Sequence, residues 1–169
     1  MSLITVRLAA HHDRASFSCG NASLDAYIRT MAGQDMRRDM ATVYVWEGDP
    51  PSVIQGYYTL NMTGFSLGAL PVARRRKLPY HDTVSGSLLG RLALSRTLHG
   101  TGSGATLLFD AIRRVITISE GIAAYAIVVD AIDDAAARFY AHHGFMRFDD
   151  QPQRLFLPLV VARQLVTGE

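Results

Sequence analysis

The sequence predicts an α/β fold in a single domain spanning residues 1–169, with a mixed central β-sheet flanked by helices. Three observations predict it. A hairpin-like pair of strand patterns fills the first third of the chain, a glycine-rich turn joins a strand to an amphipathic helix past the midpoint, and an almost wholly apolar strand follows that helix. If its two strands share one sheet, that strand–helix–strand segment is a right-handed crossover, and antiparallel strands on either side make the sheet mixed. The length of 169 residues supports one hydrophobic core, and 49% apolar with 19% charged residues describes a globular chain.

Taken in order, Ile4 to Leu8 alternates apolar and polar side chains as a half-buried strand does. Asn21 stands where it caps a helix from about Ser23, with Leu24, Tyr27, Ile28 and Met31 on its apolar face and Asp25, Arg29 and Asp35 facing elsewhere. Thr42 to Trp46 and Val53 to Leu60 or a little beyond read as strands separated by Asp49-Pro50-Pro51. Residues Leu70 to Gly86 read as an irregular or partly helical excursion, and Ser87 to Leu94 as a strand. A helix from Ala105 to about Ser119 buries Leu107, Leu108, Ala111, Ile112 and Val115, and Ala124 to Val129 is a strand covered on both faces. Asp134 to His143 forms a helix with Ala136, Phe139 and Tyr140 inward, closed by Gly144. Phe145 to Phe148 and Arg154 to Leu157 make a last strand pair, and Leu159 to Val166 a terminal helix.

Composition narrows the setting. The one cysteine, Cys19, makes no internal disulfide, and without an obvious base beside it reads as a packing residue. The N-terminus lacks a signal-peptide core and no apolar run reaches bilayer length, so the expected location is the cytoplasm, with no membrane partner. Net charge is +2, yet Arg74, Arg75, Arg76 and Lys77 form one basic run and Arg37 and Arg38 a pair. Composition leaves two readings of that run open, a solvated loop and a phosphate-facing patch. The pairs His11-His12 and His142-His143 are adjacent in sequence, and neighbours share no face on a helix or strand, so no metal site is expected.

The turn His99-Gly100-Thr101-Gly102-Ser103-Gly104 carries the chemistry. Three alternating glycines let the backbone approach a ligand, and the unpaired N–H groups of the next helix's first turn favour an anion such as a pyrophosphate. The run Gly100 to Ala105 also fits a dinucleotide-binding pattern, with Asp130 as the ribose acid. Too little chain remains for a doubly wound sheet, no lysine completes a P-loop, and coenzyme A suits the context better.

With these residues the chain resembles the GNAT acetyltransferase superfamily over nearly its whole length. The family's R/Q-x-x-G-x-G/A motif reads here as His99 to Gly104, with histidine at its head, and Asp133-Asp134-Ala135-Ala136-Ala137-Arg138-Phe139-Tyr140 before Gly144-Phe145 resembles the downstream N-x-x-A-x-x-x-Y and G-F. The resemblance implies acetyl-CoA as cofactor. It places Leu92, Ala93 and Leu94 along the pantetheine arm, His99, Gly100, Thr101, Gly102, Ser103 and Gly104 at the pyrophosphate, and Asp133 and Ala136 as further cofactor contacts. It also implies that Tyr140 is the general acid for the departing thiolate, although on an apolar helix face alone a tyrosine reads as a core residue. Leu94 or its neighbour is the candidate backbone donor to the oxyanion. For the base, Asp130 and His81 stand beside a water relay or no dedicated base.

Within that superfamily the segments Phe17 to Asn21, Leu24 to Tyr27, Gln34-Asp35, Gly56 to Leu60, Leu88 to Leu94 and Val129 to Ala131 resemble the toxin branch of type II toxin–antitoxin pairs. That likeness implies acetylation of the α-amine of an aminoacyl-tRNA, a ribbon-helix-helix antitoxin and a homodimer. Arg37, Arg38, Arg74, Arg75, Arg76 and Lys77 would then hold the tRNA backbone, with Arg91 near the acceptor end. The chain departs from such toxins at Leu78 to Ser85, where many carry a Pro-Arg-Tyr-Pro-like stretch. Two other readings stand beside it: an acetyltransferase of a small amine or protein N-terminus, and a noncatalytic CoA- or partner-binding module.

Overall fold

A computed structural model describes residues 2–168. Its strands are β1 (Thr5–Arg7), β2 (Thr42–Glu47), β3 (Ile54–Ser66), β4 (Thr83–Leu94), β5 (Ala126–Asp130), β6 (Met146–Phe148) and β7 (Gln151–Pro158). Its helices are α1 (Ala22–Thr30), α2 (Ala32–Arg37), α3 (Val72–Arg75), α4 (Ser103–Ser119), α5 (Asp134–His142) and α6 (Leu159–Thr167). The seven strands form one mixed sheet in the order β1-β2-β3-β4-β5-β7-β6, with β4 and β5 joined through α4 as a crossover requires. Contacts cluster into two compact units: the chain up to Asn61 with Leu89–Arg114, and Met62–Leu88 with the chain from Val115 onward.

In the first unit β1, β2 and β3 pair antiparallel, Val6 opposite Val45 and Tyr44 opposite Tyr58. The Asn21 side chain accepts the Leu24 N–H at 3.0 Å and caps α1, as its position predicts. Leu24, Tyr27 and Ile28 then pack with Phe17, Val43, Val45 and Tyr57. Two expectations for this helix fail. Met31 is 50% exposed, because α1 ends at Thr30 and Met31 sits at the junction with α2. Asp25 is buried, because its carboxylate accepts the Cys19 N–H at 2.9 Å, a donor the preceding turn leaves unpaired. Gly56 is required where β3 packs closely: a Cβ there would come within 3.0 Å of both the Ala93 carbonyl oxygen and Leu107 Cδ2.

A buried polar network ties β1, β3 and α4 together within this unit. The Asp110 carboxylate accepts hydrogen bonds from the Ile4 N–H (2.7 Å), the Tyr58 hydroxyl (2.8 Å) and the Thr5 hydroxyl. Arg114 donates to the Tyr58 oxygen at 2.9 Å and the Thr5 carbonyl at 2.8 Å, and its guanidinium lies 3.9 Å over the Tyr44 ring. Every member is satisfied, which is what makes a buried charge tolerable.

In the second unit β5 is buried along Ala126 to Val129 and pairs antiparallel with β7, Val128 opposite Phe156. Phe65, Leu70, Ala126, Val128, Phe148 and Phe156 form its core. In α5, Tyr140 is buried as expected, but the fully buried alanine is Ala137, with Ala136 half-buried, a rotation of one position about the helix. Gly144 closes α5 at φ +97°, the left-handed cap its place predicts. The strand expected from Ser87 begins four residues earlier, at Thr83, and β3 runs on to Ser66. The two extensions lie close, since a Cβ on Gly64 would come 3.0 Å from Thr83 Cγ2. Between them the chain makes a single 3-10 turn (Leu67–Ala69) and α3.

The network around Asp110 makes a stability prediction. Asp110→Ala leaves the Thr5 and Tyr58 hydroxyls and Arg114 without their buried acceptor, and should lower the unfolding free energy by about 3 kcal/mol. The urea midpoint should fall at an unchanged denaturant slope; an unaltered midpoint would show that the network does not stabilise the fold.

Candidate functional site

The glycine turn is set by positive backbone angles. Gly100 (φ +76°) and Gly102 (φ +83°) both occupy the left-handed region, and a Cβ added at either would meet nothing within 4 Å. These glycines are therefore needed for backbone conformation, and they leave the approach to the turn bare. The shape is held from behind. The His99 ring donates its Nε2–H to the Leu94 carbonyl at 2.9 Å, and the Thr101 hydroxyl donates to the Leu98 carbonyl. Ser95 N–H reaches the Gln55 carbonyl at 2.8 Å and Arg96 N–H the Ser18 carbonyl at 3.0 Å. Among the described residues, no backbone N–H from Gly100 to Ala105 donates to a protein acceptor. They head α4, where the helix dipole adds partial positive charge.

This arrangement suits a pyrophosphate: backbone donors, the Thr101 and Ser103 hydroxyls 2.7 Å apart, and no side chain over the glycines. The head residue of the turn is turned away from it. His99 commits its Nε2 proton to the Leu94 carbonyl and its own backbone N–H to the Arg96 carbonyl at 3.2 Å, so it braces the turn.

Of the other candidate cofactor contacts, Ala93 is buried in the first unit's core, with Leu92 and Leu94 half-buried on either side. Asp133 is the N-cap of α5; its Oδ1 accepts the Ala136 N–H at 2.7 Å. That bond occupies both Asp133 Oδ1 and the Ala136 N–H, and the carboxylate sits at the helix end that favours it.

Tyr140, on α5, packs its ring against Phe139 and Phe145 with centroids 5.4 Å away in each case. Burial pushes its hydroxyl well above the usual tyrosine range, so the group stays protonated at neutral pH. The hydroxyl has no hydrogen-bond partner among the described residues. A retained proton with no internal acceptor is what a general acid requires. Cys19 differs: burial first, and Asp25 second, push its thiol up to about 11, which keeps it an inert packing residue.

Arg91 is held in a way the sequence did not disclose. Its guanidinium lies 3.6 Å over the Tyr27 ring, whose hydroxyl donates to Asp35 Oδ2 at 2.8 Å. Arg91 is half-buried and its side chain makes no hydrogen bond or ion pair with any described residue, so stacking orients the guanidinium while its N–H donors stay open. Tyr27 and Asp35 lie on different helices, and no helical spacing would have joined them to a residue of β4.

The basic residues are dispersed over both units. Arg37 and Arg38 are exposed at the C-terminal end of α2, where cations also suit the helix dipole. Arg74 and Arg75 end α3, and Arg76 and Lys77 follow it. Arg75 Nη1 donates to the Gly68 carbonyl at 3.2 Å, and none of the four has a carboxylate partner among the described residues. Asp130 ends β5 with a carboxylate oxygen 3.4 Å from Arg154 Nε.

The first histidine pair departs from what adjacency in sequence predicts. His11 and His12 lie in a turn, so their Nε2 atoms converge on one Glu47 oxygen at 3.0 and 2.9 Å, and the three ligand atoms fall within 4.8 Å of one another. The hydrogen bonding opposes a cation there. Ala9 N–H donates to His12 Nδ1 at 2.9 Å, which leaves the proton on Nε2, the atom a metal would need. Both rings serve the Glu47 carboxylate, whose pKa is lowered by His12 and then His11.

A glycine-rich strand–turn–helix junction with unengaged backbone donors, on a mixed α/β sheet, is the class of site that fold and geometry define. No family model matches the chain. A tRNA-acetylating toxin of Mycobacterium tuberculosis (strain ATCC 25618 / H37Rv) is 35% identical over 160 residues, 95% of this chain and 94% of that one. The structure of AtaT complexed with acetyl-methionyl-tRNAfMet has a TM-score of 0.88 at 29% identity, covering 98% of this chain and 99% of AtaT. A tyrosine-to-phenylalanine mutant of AtaT, bound to the C-terminus of the antitoxin AtaR and acetyl-CoA, has a TM-score of 0.81 at 26% identity, covering 100% of both chains. The chain belongs to the GNAT acetyltransferase superfamily, in the branch of toxins from type II toxin–antitoxin systems.

The cradle generates a prediction. Gly102→Ala meets no neighbour, so its cost is the left-handed backbone alone, about 1 kcal/mol of stability. Relaxing that strain re-aims the N–H groups, and calorimetry should find acetyl-CoA binding weakened about tenfold. Unchanged affinity would show that the turn's N–H groups do not hold the phosphates.

Proposed function

We propose that this protein is an acetyl-CoA-dependent N-acetyltransferase whose acceptor is the α-amino group of an aminoacyl-tRNA, so that charged tRNA is withdrawn from translation. The observation that carries the cofactor is the run of unengaged backbone N–H groups from Gly100 to Ala105, bare of side chains at Gly100 and Gly102. The acceptor class rests on kinship with proteins named for tRNA acetylation and on AtaT's complex with acetyl-methionyl-tRNAfMet.

Acetyl-CoA, when bound, supplies the acetyl group as an activated thioester. The backbone of Leu92 to Leu94 receives the pantetheine arm, and an N–H at or beside Leu94 is placed to stabilise negative charge on the acetyl oxygen. The turn from His99 to Gly104 holds the pyrophosphate through its backbone, with His99 as brace. Asp133 keeps α5 capped and thereby positions Tyr140. As a new C–N bond forms and the C–S bond breaks, Tyr140 gives its hydroxyl proton to the sulfur, and the proton shed by the amine returns to solvent.

Arg37, Arg38 and the run Arg74 to Lys77 supply phosphate contacts whose strength falls with salt, and Arg91, stacked on Tyr27, faces the acceptor end with open donors. A ribbon-helix-helix antitoxin, a homodimer and a cytoplasmic location complete the reading. AtaT's complex with the antitoxin AtaR supports an antitoxin partner, and among the described residues no helix is long and apolar enough to cross a membrane.

Incubation with labelled acetyl-CoA and a pool of charged tRNA tests the acceptor. Label should appear in N-acetyl-aminoacyl-tRNA; CoA release only with polyamines or peptides would replace the acceptor, and binding without turnover would leave a noncatalytic module. Tyr140→Phe should lower kcat about 100-fold with acetyl-CoA affinity unchanged. Because burial raises the Tyr140 pKa, the wild-type rate should show no alkaline loss from this group between about pH 7 and about pH 9. Near-normal turnover by the phenylalanine variant would dismiss Tyr140 as the acid.

A further inference from the structure

The loop that departs from the toxin pattern encloses a feature the acetyl-transfer chemistry does not use. Residues 66–82 surround a cavity of about 500 Å³, its wall formed by Leu67, Gly68, Arg76, Tyr80, His81 and Asp82, with Arg75 and Leu78 also lining it. Its volume lies in the range of small-ligand sites. Tyr80 is 82% exposed, yet its hydroxyl donates to Asp82 Oδ1 at 2.7 Å, so the ring is tethered with its face bare. The side chains of Arg76 and His81 make no hydrogen bond or ion pair with any described residue. Arg75 uses one terminal nitrogen on the Gly68 carbonyl.

Each wall matches a different part of one kind of ligand. A bare aromatic ring offers stacking to a flat heterocycle, which supplies a large share of the affinity for unpaired bases. Unpaired Arg76 and His81 offer donors to a phosphate. Asp82 keeps an oxygen for an exocyclic amine, and its negative charge disfavours a plain polyanion such as inorganic phosphate. A fatty acyl chain would leave the charges unmatched. A paired base presents no free face, so a duplex cannot fill the cavity.

We propose that this cavity binds one unpaired nucleotide of the RNA acceptor, its base stacked on Tyr80 and its phosphate held by Arg76 and His81. The proposal deepens the aminoacyl-tRNA reading and rests on it for the source of the nucleotide. The divergent loop then reads the single-stranded part of the acceptor, while the rest of the basic run around α3 takes its backbone.

Coupling between an RNA position and a protein position tests it. Charged acceptor-stem minihelices would carry an abasic residue at each unpaired 3′ position in turn, and KM and kcat would be compared for the wild type, Tyr80→Ala, Tyr80→Trp and Arg76→Ala. One abasic position should raise the wild-type KM about tenfold with kcat spared. Tyr80→Ala should raise KM for the intact minihelix by a similar factor and then be indifferent to that abasic position. Tyr80→Trp should restore both the affinity and the sensitivity, and Arg76→Ala should weaken binding equally for every minihelix. An unchanged KM for Tyr80→Ala, or a loss that simply adds to the abasic loss at every position, overturns the proposal. If wild-type protein binds acetyl-CoA but acetylates no charged minihelix, the acceptor assignment falls instead. Fluorescence anisotropy with a short unpaired oligoribonucleotide then decides the cavity alone: tighter binding by wild type than by Tyr80→Ala upholds it, and equal binding refutes it.

Discussion

The first turn of an α-helix has N–H groups that the helix itself cannot satisfy, and the arrangement around α4 keeps them that way. Most proteins cover such groups with a capping side chain. Here Gly100 and Gly102 remove the cover, and the bonds that brace the turn run backward, from His99 to Leu94, from Thr101 to Leu98 and from Arg96 to Ser18. The turn is therefore held from behind by bonds within the protein. The helix behind it is fixed in turn by Asp110, which draws β1 and β3 onto α4 through three hydrogen bonds.

Local pattern made much of this legible. Asn21 capped its helix, Gly144 closed α5 with positive φ, and the buried face of α4 was readable from period alone, because each depends on residues a few positions apart. What could not be read is long-range. Asp25 looked solvent-facing because its partner, the Cys19 N–H, is a backbone group in a turn whose shape comes from the fold. His11 and His12 looked divergent under helix and strand rules that a turn does not obey. The start of β4 was hidden by Gly86, a weak strand residue, although Thr83, Val84 and Ser85 continue the strand beside the end of β3.

The site divides likewise. The glycine turn is a motif of consecutive residues, and its role follows from sequence and helix electrostatics together. His99 occupies the expected place and does a different job, which no spacing rule conveys. The stacking of Arg91 on Tyr27, steadied by Asp35, joins residues far apart in the chain, and local pattern is blind to such pairs. Its consequence is directional: a cation gripped by its flat face presents its edge, and the edge carries the donors.

Among the described residues Arg74 to Lys77 and Arg91 have no acidic partner, which has a bearing on the protein at rest. Uncompensated like charges repel, and the free chain carries that repulsion as a standing penalty on its folded state. Any polyanion that gathers on these residues relieves it, and so acts as a folding ligand whether or not it is turned over. Handling should follow suit: the protein ought to ride on cation-exchange or heparin resin despite a net charge of only +2, and to keep best in sulfate or phosphate buffers.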